Sequence, residues 1–171
     1  MKRLLYLICL VVCSLTCYAQ KVIPDSKEQL SQEVKEYIGK HLKGMGERAL
    51  VKACDDLTCK LLKFSYTSKN PNLSQLRMNK ELDANCVGYA KAYKAIMTYA
   101  LKVNNIKGKV THYRGPVKVK GVDITNIVSK SLGLLSKRAA NFTKDHDYCV
   151  VVIGKNSYTI DSSLSDVSIL N

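Results

Sequence analysis

Apolar and polar positions alternate with a helical period through the first part of the chain. Apolar side chains recur every three or four residues in three stretches, over residues 30–42, 47–64 and 86–101. That period is typical of amphipathic helices. Asp25-Ser26 is expected to cap the first helix, and Gly44 and Gly46 to end it. The third helix has apolar residues on two sides, which predicts that it packs against two layers.

The pattern changes to strands in the second part of the chain. Short alternating or apolar runs predict strands over residues 109–114, 117–124, 148–153 and 157–160. A helical pattern over residues 126–140 interrupts them, and residues 73–82 fit a loop with a helical turn. Helices followed by antiparallel strands predict an α+β domain, in which the N-terminal helices and the third helix pack on the sheet.

Residues 1–19 have the pattern of a secretory signal peptide. Lys2 and Arg3 precede an apolar run, and Ala19 is a small residue at the expected cleavage point. The run is too short for a good membrane span, and no second one follows. The sequence therefore predicts a secreted or periplasmic protein whose residues 20–171 form one domain, with no transmembrane segment after cleavage.

The charge of the chain is strongly positive. Its 171 residues carry a formal net charge of +13, which falls to +11 when Lys2 and Arg3 are removed with the signal peptide. Such a protein favours anionic surfaces, including an anionic envelope partner. Nucleic acid is not expected, because the lysines are scattered rather than interleaved with aromatic residues.

Four cysteines lie beyond the signal peptide, at Cys54, Cys59, Cys86 and Cys149. If residues 47–64 are one helix, Cys54 and Cys59 lie about 8–9 Å apart, from the rise and radius of a helix. A disulfide does not span that distance. We therefore expect buried thiols at these two positions, unless the helix breaks at Asp55.

Cys86 opens the third helix, in the stretch NCVGYAKAYKAIMTYAL. The N–H groups at a helix N-terminus favour a thiolate and can stabilise an oxyanion. Gly88 would let a backbone, a strand or a substrate approach the thiol closely. A lone cysteine at this place is more often a small buried apolar residue than a nucleophile.

A nucleophilic thiol needs a base, and the base needs a group that orients it. The three histidines are His41, His112 and His146. His41 ends the first helix and is expected to face solvent. His146 begins the strand sequence HDYCVVVI, and Asp161 follows in SYTIDSSL on the paired strand. A carboxylate at the end of an apolar strand requires a partner such as an imidazole.

The segments NCVGYA, His146-Asp147-Tyr148 and YTIDSSL together resemble the core of the transglutaminase-like cysteine enzymes, which have a papain-like fold. The resemblance covers residues 57–164. It implies Cys86 as nucleophile, His146 as general base and acid, and Asp161 as the residue that orients the imidazole. Tyr148 stands where the family usually has Trp, and Ser162-Ser163 follow the Asp, which leaves the substrate class open.

One geometric argument opposes this triad. A tight hairpin turning at Lys155-Asn156 would place Asp161 opposite Val150, about 13 Å along the strand from His146. A bulge, a longer turn or strong twist would have to close that gap, and otherwise His112 is the rival base. For the oxyanion, the Cys86 N–H is the expected donor. Three upstream side chains are further candidates, Gln75, Asn79 and Asn85.

Two functions are open at this point. The first is a hydrolase that cleaves or transfers amide or peptide bonds in a protein or peptide substrate through Cys86, His146 and Asp161. The second is an inactive binding module that uses a basic surface. Six basic residues of the region after the first strands would form that surface, Lys118, Lys120, Lys130, Lys137, Arg138 and Lys144. No cofactor is expected, and no ligand spacing suggests zinc.

Overall fold

A computed structural model describes residues 20–66, 68–116, 118–119, 122–123 and 145–166 of the protein. The chain divides into two compact units, one of residues 22–114 and 146–171 and the other of residues 1–21 and 115–145. The signal-peptide prediction for residues 1–19 and the helix predicted over residues 126–140 lie outside the described residues.

The first unit contains the four described helices and most of the described strands. The helices are α1 (Gln32–His41), α2 (Glu47–Leu61), α3 (Cys86–Val103) and α4 (Ser162–Asp166). The strands are β2 (Leu62–Phe64), β3 (Leu82–Ala84), β4 (Gly108–Gly115), β7 (His146–Ile153) and β8 (Asn156–Ile160). Strand β1 (Lys21–Val22) and the last residue of β4 lie at the unit boundaries.

Strands β1, β4, β7 and β8 form a four-stranded antiparallel sheet in that order, and the helices pack on it. The predicted α+β class is therefore confirmed. In the other unit, β5 (Lys118–Val119) pairs antiparallel with β6 (Val122–Asp123), where the sequence predicted one strand over residues 117–124. No helix of the described residues is long and apolar enough to cross a membrane.

Helix α1 begins later than its sequence predicts. Its N-cap is Ser31, whose Oγ accepts a hydrogen bond from the Val34 N–H at 3.3 Å. The predicted cap at Asp25-Ser26 is wrong, because Asp25 forms an ion pair with Lys94 of α3. The segment before Ser31 is thus used for tertiary contacts and does not join the helix.

Helix α2 is shorter than predicted, because residues 62–64 leave it as strand β2. That strand pairs in parallel with β3, with Phe64 opposite Ala84. The sequence suggested a loop and a helical turn over residues 73–82, and the structure has a 3₁₀ turn at Leu73–Gln75 followed by β3. A three-residue strand has too few positions for a period to be visible in the sequence.

Helix α3 occupies the centre of the first unit. It packs against α1, α2 and β7, so the predicted burial on two sides is confirmed. Its buried residues include two tyrosines and a methionine that are at most 1% exposed, Tyr89, Tyr93 and Met97. Burial of each such side chain contributes about 1.5–3 kcal/mol to folding. The apolar contacts therefore fix the position of the helix, and with it the position of its first residue.

Candidate active site

The three predicted site residues lie at the ends of three different elements. Cys86 is the first residue of α3, and His146 is the first residue of β7. Asp161 lies between the end of β8 and the start of α4. The structure brings all three together, since His146 is hydrogen bonded with Asp161 and Cys86 lies close enough to the imidazole to raise its pKa.

The contact between His146 and Asp161 is short and well supported. His146 Nε2 lies 2.5 Å from Asp161 Oδ2. The other carboxylate oxygen accepts hydrogen bonds from Ser163 Oγ at 2.8 Å and from the Leu164 N–H at 3.2 Å. The carboxylate thus sets the orientation of the imidazole.

The imidazole of His146 is fully buried, yet its surroundings favour the charged form. Burial by itself would lower the pKa of His146. The hydrogen bond with Asp161 and the electrostatic effect of Asp161 and Cys86 outweigh burial and raise that pKa to about 9. An imidazolium can stabilise an adjacent thiolate, which is the nucleophilic form of a cysteine.

The register of the β7–β8 hairpin removes the geometric objection to this triad. The hairpin turns at Gly154–Lys155, with Ile153 opposite Asn156, and not at Lys155-Asn156 as predicted. Gly154 has a φ of +58°, a conformation that favours glycine and suits a two-residue turn. The last pair of β8 joins Ile160 to Cys149, so Asp161 lies much nearer to His146 than the predicted register allowed.

His112, the rival base, has a partner of its own. Its Nε2 lies 2.6 Å from Asp147 Oδ1, and the same carboxylate accepts hydrogen bonds from Arg114. No described contact joins His112 to Cys86. Sequence reasoning missed this cluster, although His112 and Arg114 are two residues apart in a strand and must share a face.

Gly88 makes room for a neighbouring loop and strand. A Cβ at position 88 would lie 2.3 Å from Asn70 Oδ1 and 2.8 Å from the Cβ of Ala84 in β3. Asn70 Oδ1 accepts the Asn85 N–H at 3.1 Å, immediately before the helix. The absence of a side chain at Gly88 therefore lets Asn70 hold the start of the cysteine helix.

The structure gives the three candidate oxyanion side chains other contacts or surroundings. Asn85 is the N-cap of α3, and its Oδ1 accepts the N–H groups of Val87 at 3.0 Å and Gly88 at 3.4 Å. Gln75 accepts the Asn72 N–H within the 3₁₀ turn. Asn79 is exposed beside that turn. Asn85 occupies the second and third amides of α3, and the first is that of Cys86.

The other thiols are placed as core residues. Cys54 and Cys149 are fully buried, and burial raises the pKa of each to about 12. The Cys59 thiol donates to the Ser162 carbonyl at 3.4 Å. The four cysteines are not joined in disulfides. The expectation of buried thiols at Cys54 and Cys59 is confirmed for Cys54, and Cys59 is half-buried.

Two aromatic residues, Tyr148 and Tyr66, have defined ring contacts. Tyr148, at the position where Trp was expected, is buried and stacks on Tyr113 with ring centroids 5.9 Å apart. Tyr66 is 53% exposed and meets Phe64 edge-on at 5.3 Å. Burial raises the pKa of Tyr66, and the negative charge of Cys86 adds to that rise, which places this ring near the thiol.

A cavity of about 630 Å³ follows the face of α3 from Val87 to Lys102, beneath residues 23–30. Cys86, His146 and Asp161 are not among its lining residues, although Val87, the neighbour of Cys86, is. The described part of the chain has no group of three or more His, Cys, Asp or Glu side chains arranged to hold a metal ion. The side chains of the six basic residues considered for a binding surface are not among those described.

The chain was compared with protein-family models, curated proteins and solved structures, and none of the three comparisons found a match. The case for a function therefore depends on the geometry of the site itself.

Proposed function

We propose that the protein is a transglutaminase-like cysteine enzyme that cleaves amide or peptide bonds through Cys86, His146 and Asp161. The observation that carries the proposal is one buried imidazole, His146, which is hydrogen bonded with the Asp161 carboxylate and has its pKa raised by the nearby Cys86 thiol at a helix N-terminus. A nucleophile, a base and an orienting group therefore lie near one another, as the chemistry requires.

The first half of the reaction forms a thioester. The Cys86 thiolate attacks the carbonyl carbon of the substrate amide, and the carbonyl electrons move to oxygen. The Cys86 N–H, at the positive end of α3, donates to this oxyanion. As the C–N bond breaks, His146 gives its proton to the leaving amine, and an acyl group remains on the sulfur.

The second half releases the acid. A water molecule gives a proton to His146 while its oxygen attacks the thioester carbonyl, and the Cys86 sulfur leaves as a thiolate. Asp161 stabilises the imidazolium in both steps and keeps Nε2 occupied. We favour hydrolysis over transfer to an amine, because nothing in the sequence marks an amine-acceptor site.

The setting of the site supports a protein or peptide substrate. Tyr66 places an exposed aromatic ring beside the thiol, where it would contact the part of the substrate next to the scissile bond. The predicted signal peptide puts this activity outside the cytoplasm, in a secreted or periplasmic protein. The basic composition would bring the enzyme to an anionic envelope surface.

The binding-module alternative requires a thiol out of reach of any imidazole, or one locked in a disulfide with Cys149. The described residues favour the enzyme, since Cys86 is close enough to His146 to raise its pKa, and Cys149 is a free thiol that donates to the Ala90 carbonyl at 3.2 Å. Binding to anionic vesicles that survives in Cys86→Ala, with no amidase activity in the wild type, would favour the alternative.

The chemistry is tested by competitive alkylation of the mature protein with iodoacetamide at pH 7. Peptide mass spectrometry then gives a rate for each of the four thiols. We expect Cys86 to react fastest, and His146→Ala to slow it, while Cys54 and Cys149 stay protected by burial. Equal rates at all four thiols would contradict the assignment. Peptide-library cleavage, with Cys86→Ala as control, then tests for turnover.

A further inference from the structure

A second carboxylate lies directly beside the proposed base. The Asp147 side chain is only 1% exposed. Its Oδ1 lies 2.6 Å from His112 Nε2, and Arg114 donates to it from Nη2 at 3.2 Å and to Oδ2 from Nε at 3.0 Å. The proposed reaction uses none of these three groups, and such a cluster in the interior needs an explanation.

The Asp147 carboxylate is held in its ionised form. Burial alone would raise the pKa of Asp147, but the hydrogen bonds from His112 and Arg114 outweigh burial and hold that pKa below its ordinary value. Removing one partner from a buried charged cluster leaves an uncompensated charge and is strongly unfavourable. The cluster therefore ties the first residues of β7 firmly to β4.

The contacts of Asp147 lie at the end of β7 that is not paired with β8. Pairing with β8 begins only at Cys149, opposite Ile160. Residues 146–148 extend beyond that last pair, and Asp145 before them is exposed. The backbone that carries the His146 imidazole is thus fixed on one side by the Asp147 contacts, while Asp161 fixes only the ring.

We propose that Asp147 is a positioning residue, which through His112 and Arg114 holds the start of β7 so that His146 meets Cys86 and Asp161 together. The inference rests on the proposed function, because it assigns Asp147 a role in that same site. A misplacement of about 1 Å can reduce a rate 10²-fold, so a loose strand end would impair a triad whose three side chains are all present.

The first measurement is the rate constant for alkylation of Cys86 at pH 6–9. We expect Asp147→Asn and Arg114→Gln to lower it about tenfold at pH 7, within the range that misplacement produces. Arg114→Lys keeps the positive charge but loses the two-point contact with Asp147. Its alkylation rate constant should therefore lie between those of these two variants and that of the wild type. All three variants leave unchanged the groups that face the imidazole directly, which are Cys86, Asp161 and Ser163.

The second measurement does not depend on reactivity. The protein has three histidines, so nitrogen-15 labelling of histidine gives a simple spectrum. In the wild type the proton between His146 Nε2 and Asp161 should resonate far downfield. We expect this resonance to shift or broaden in Asp147→Asn, although neither His146 nor Asp161 is altered.

Controls separate positioning from a loss of stability. Val151→Ala removes buried volume from the same strand and should lower the unfolding temperature without changing the rate or the resonance. Asp56→Asn breaks an exposed ion pair with Lys52 and should change neither. If Asp147→Asn does not fold, Arg114→Lys takes its place in both measurements.

Opposite outcomes overturn the two ideas separately. A folded Asp147→Asn or Arg114→Lys protein with the wild-type rate, pH profile and resonance would overturn the positioning role. Failure of selective Cys86 alkylation in the wild type would overturn the proposed function instead. In that case a changed His146 resonance in Asp147→Asn would still establish that Asp147 positions the imidazole.

Discussion

His146 and Asp161 are joined at 2.5 Å across the open end of a hairpin, fifteen residues apart in the chain. The two-residue turn at Gly154 sets the register that makes this contact possible. Asp161 also accepts the Leu164 N–H of the following helix. One carboxylate therefore closes the hairpin, begins the last described helix and orients the proposed base.

Loss of the carboxylate charge should weaken the proposed base. In Asp161→Asn we expect the pKa of His146 to fall well below its value of about 9, because a hydrogen bond and a negative charge that raise it are lost. Nuclear magnetic resonance titration of the imidazole measures this directly. Asp83→Asn, an exposed carboxylate in β3, is the matched control. An unchanged titration in Asp161→Asn would show that Asp161 does not act on the ring.

Stability should depend on pH through His146. Its pKa of about 9 in the folded protein lies above the ordinary value of 6.5. The charged imidazole therefore stabilises the fold fully below pH 6.5, and this contribution is lost as the pH rises through 9. The free energy of unfolding of the wild type, relative to His146→Gln, should decrease by about 3 kcal/mol over that range.

Urea unfolding of both proteins at several pH values makes this measurement. The difference between the two curves matters, because groups that do not interact with His146 titrate alike in both proteins. Parallel curves for wild type and His146→Gln between pH 6 and 9 would mean that the imidazole is not charged in the fold.

Gly88 should not tolerate a side chain. Its Cβ would lie 2.3 Å from Asn70 Oδ1, so Gly88→Ala should destabilise the protein by about 1–3 kcal/mol, as overpacking does. Thermal or urea unfolding measures the loss. Gly39→Ala in α1 is the matched control, since nothing lies within 4 Å of its Cβ. There the substitution should stabilise by about 0.4–1 kcal/mol.

The two alanine substitutions should thus have opposite signs. Asn70→Ala in the Gly88→Ala background should recover part of the loss by removing the nearest atom, whereas a Gly88→Ala protein as stable as the wild type would contradict the close approach of Asn70.

The cap of the cysteine helix should affect both stability and reactivity. Asn85→Ala removes the acceptor of the Val87 and Gly88 amides and should cost about 1 kcal/mol. It should also slow alkylation of Cys86, because the first helical turn is less ordered. Ser31→Ala removes the cap of α1 at a similar cost and should leave the Cys86 rate unchanged. If Cys86 is alkylated at the same rate in Asn85→Ala and in Ser31→Ala, the cap of α3 does not influence the reactivity of the thiol.

Local signals in the sequence predicted the larger elements well. The period of apolar residues in α3 is long enough to be unambiguous, and Asn85-Cys86 marks its start by ordinary capping chemistry. Strands β2 and β3 were missed, since three residues do not display a period and their pairing joins segments about twenty residues apart. The cap of α1 was misplaced, because Asp25 is taken by Lys94 of another helix.

The sequence by itself determined the α+β class, the cysteine at a helix N-terminus and the three residues of the candidate site. The class and the helix start follow from local patterns, whereas the three site residues follow from the resemblance to the transglutaminase-like enzymes together with side-chain chemistry. Only the tertiary structure showed that His146 meets Asp161 and that His112 meets Asp147, because these contacts depend on hairpin register and strand packing. Likewise, only packing in three dimensions revealed that Gly88 accommodates Asn70, and that Asp147 joins His112 and Arg114 beside the base.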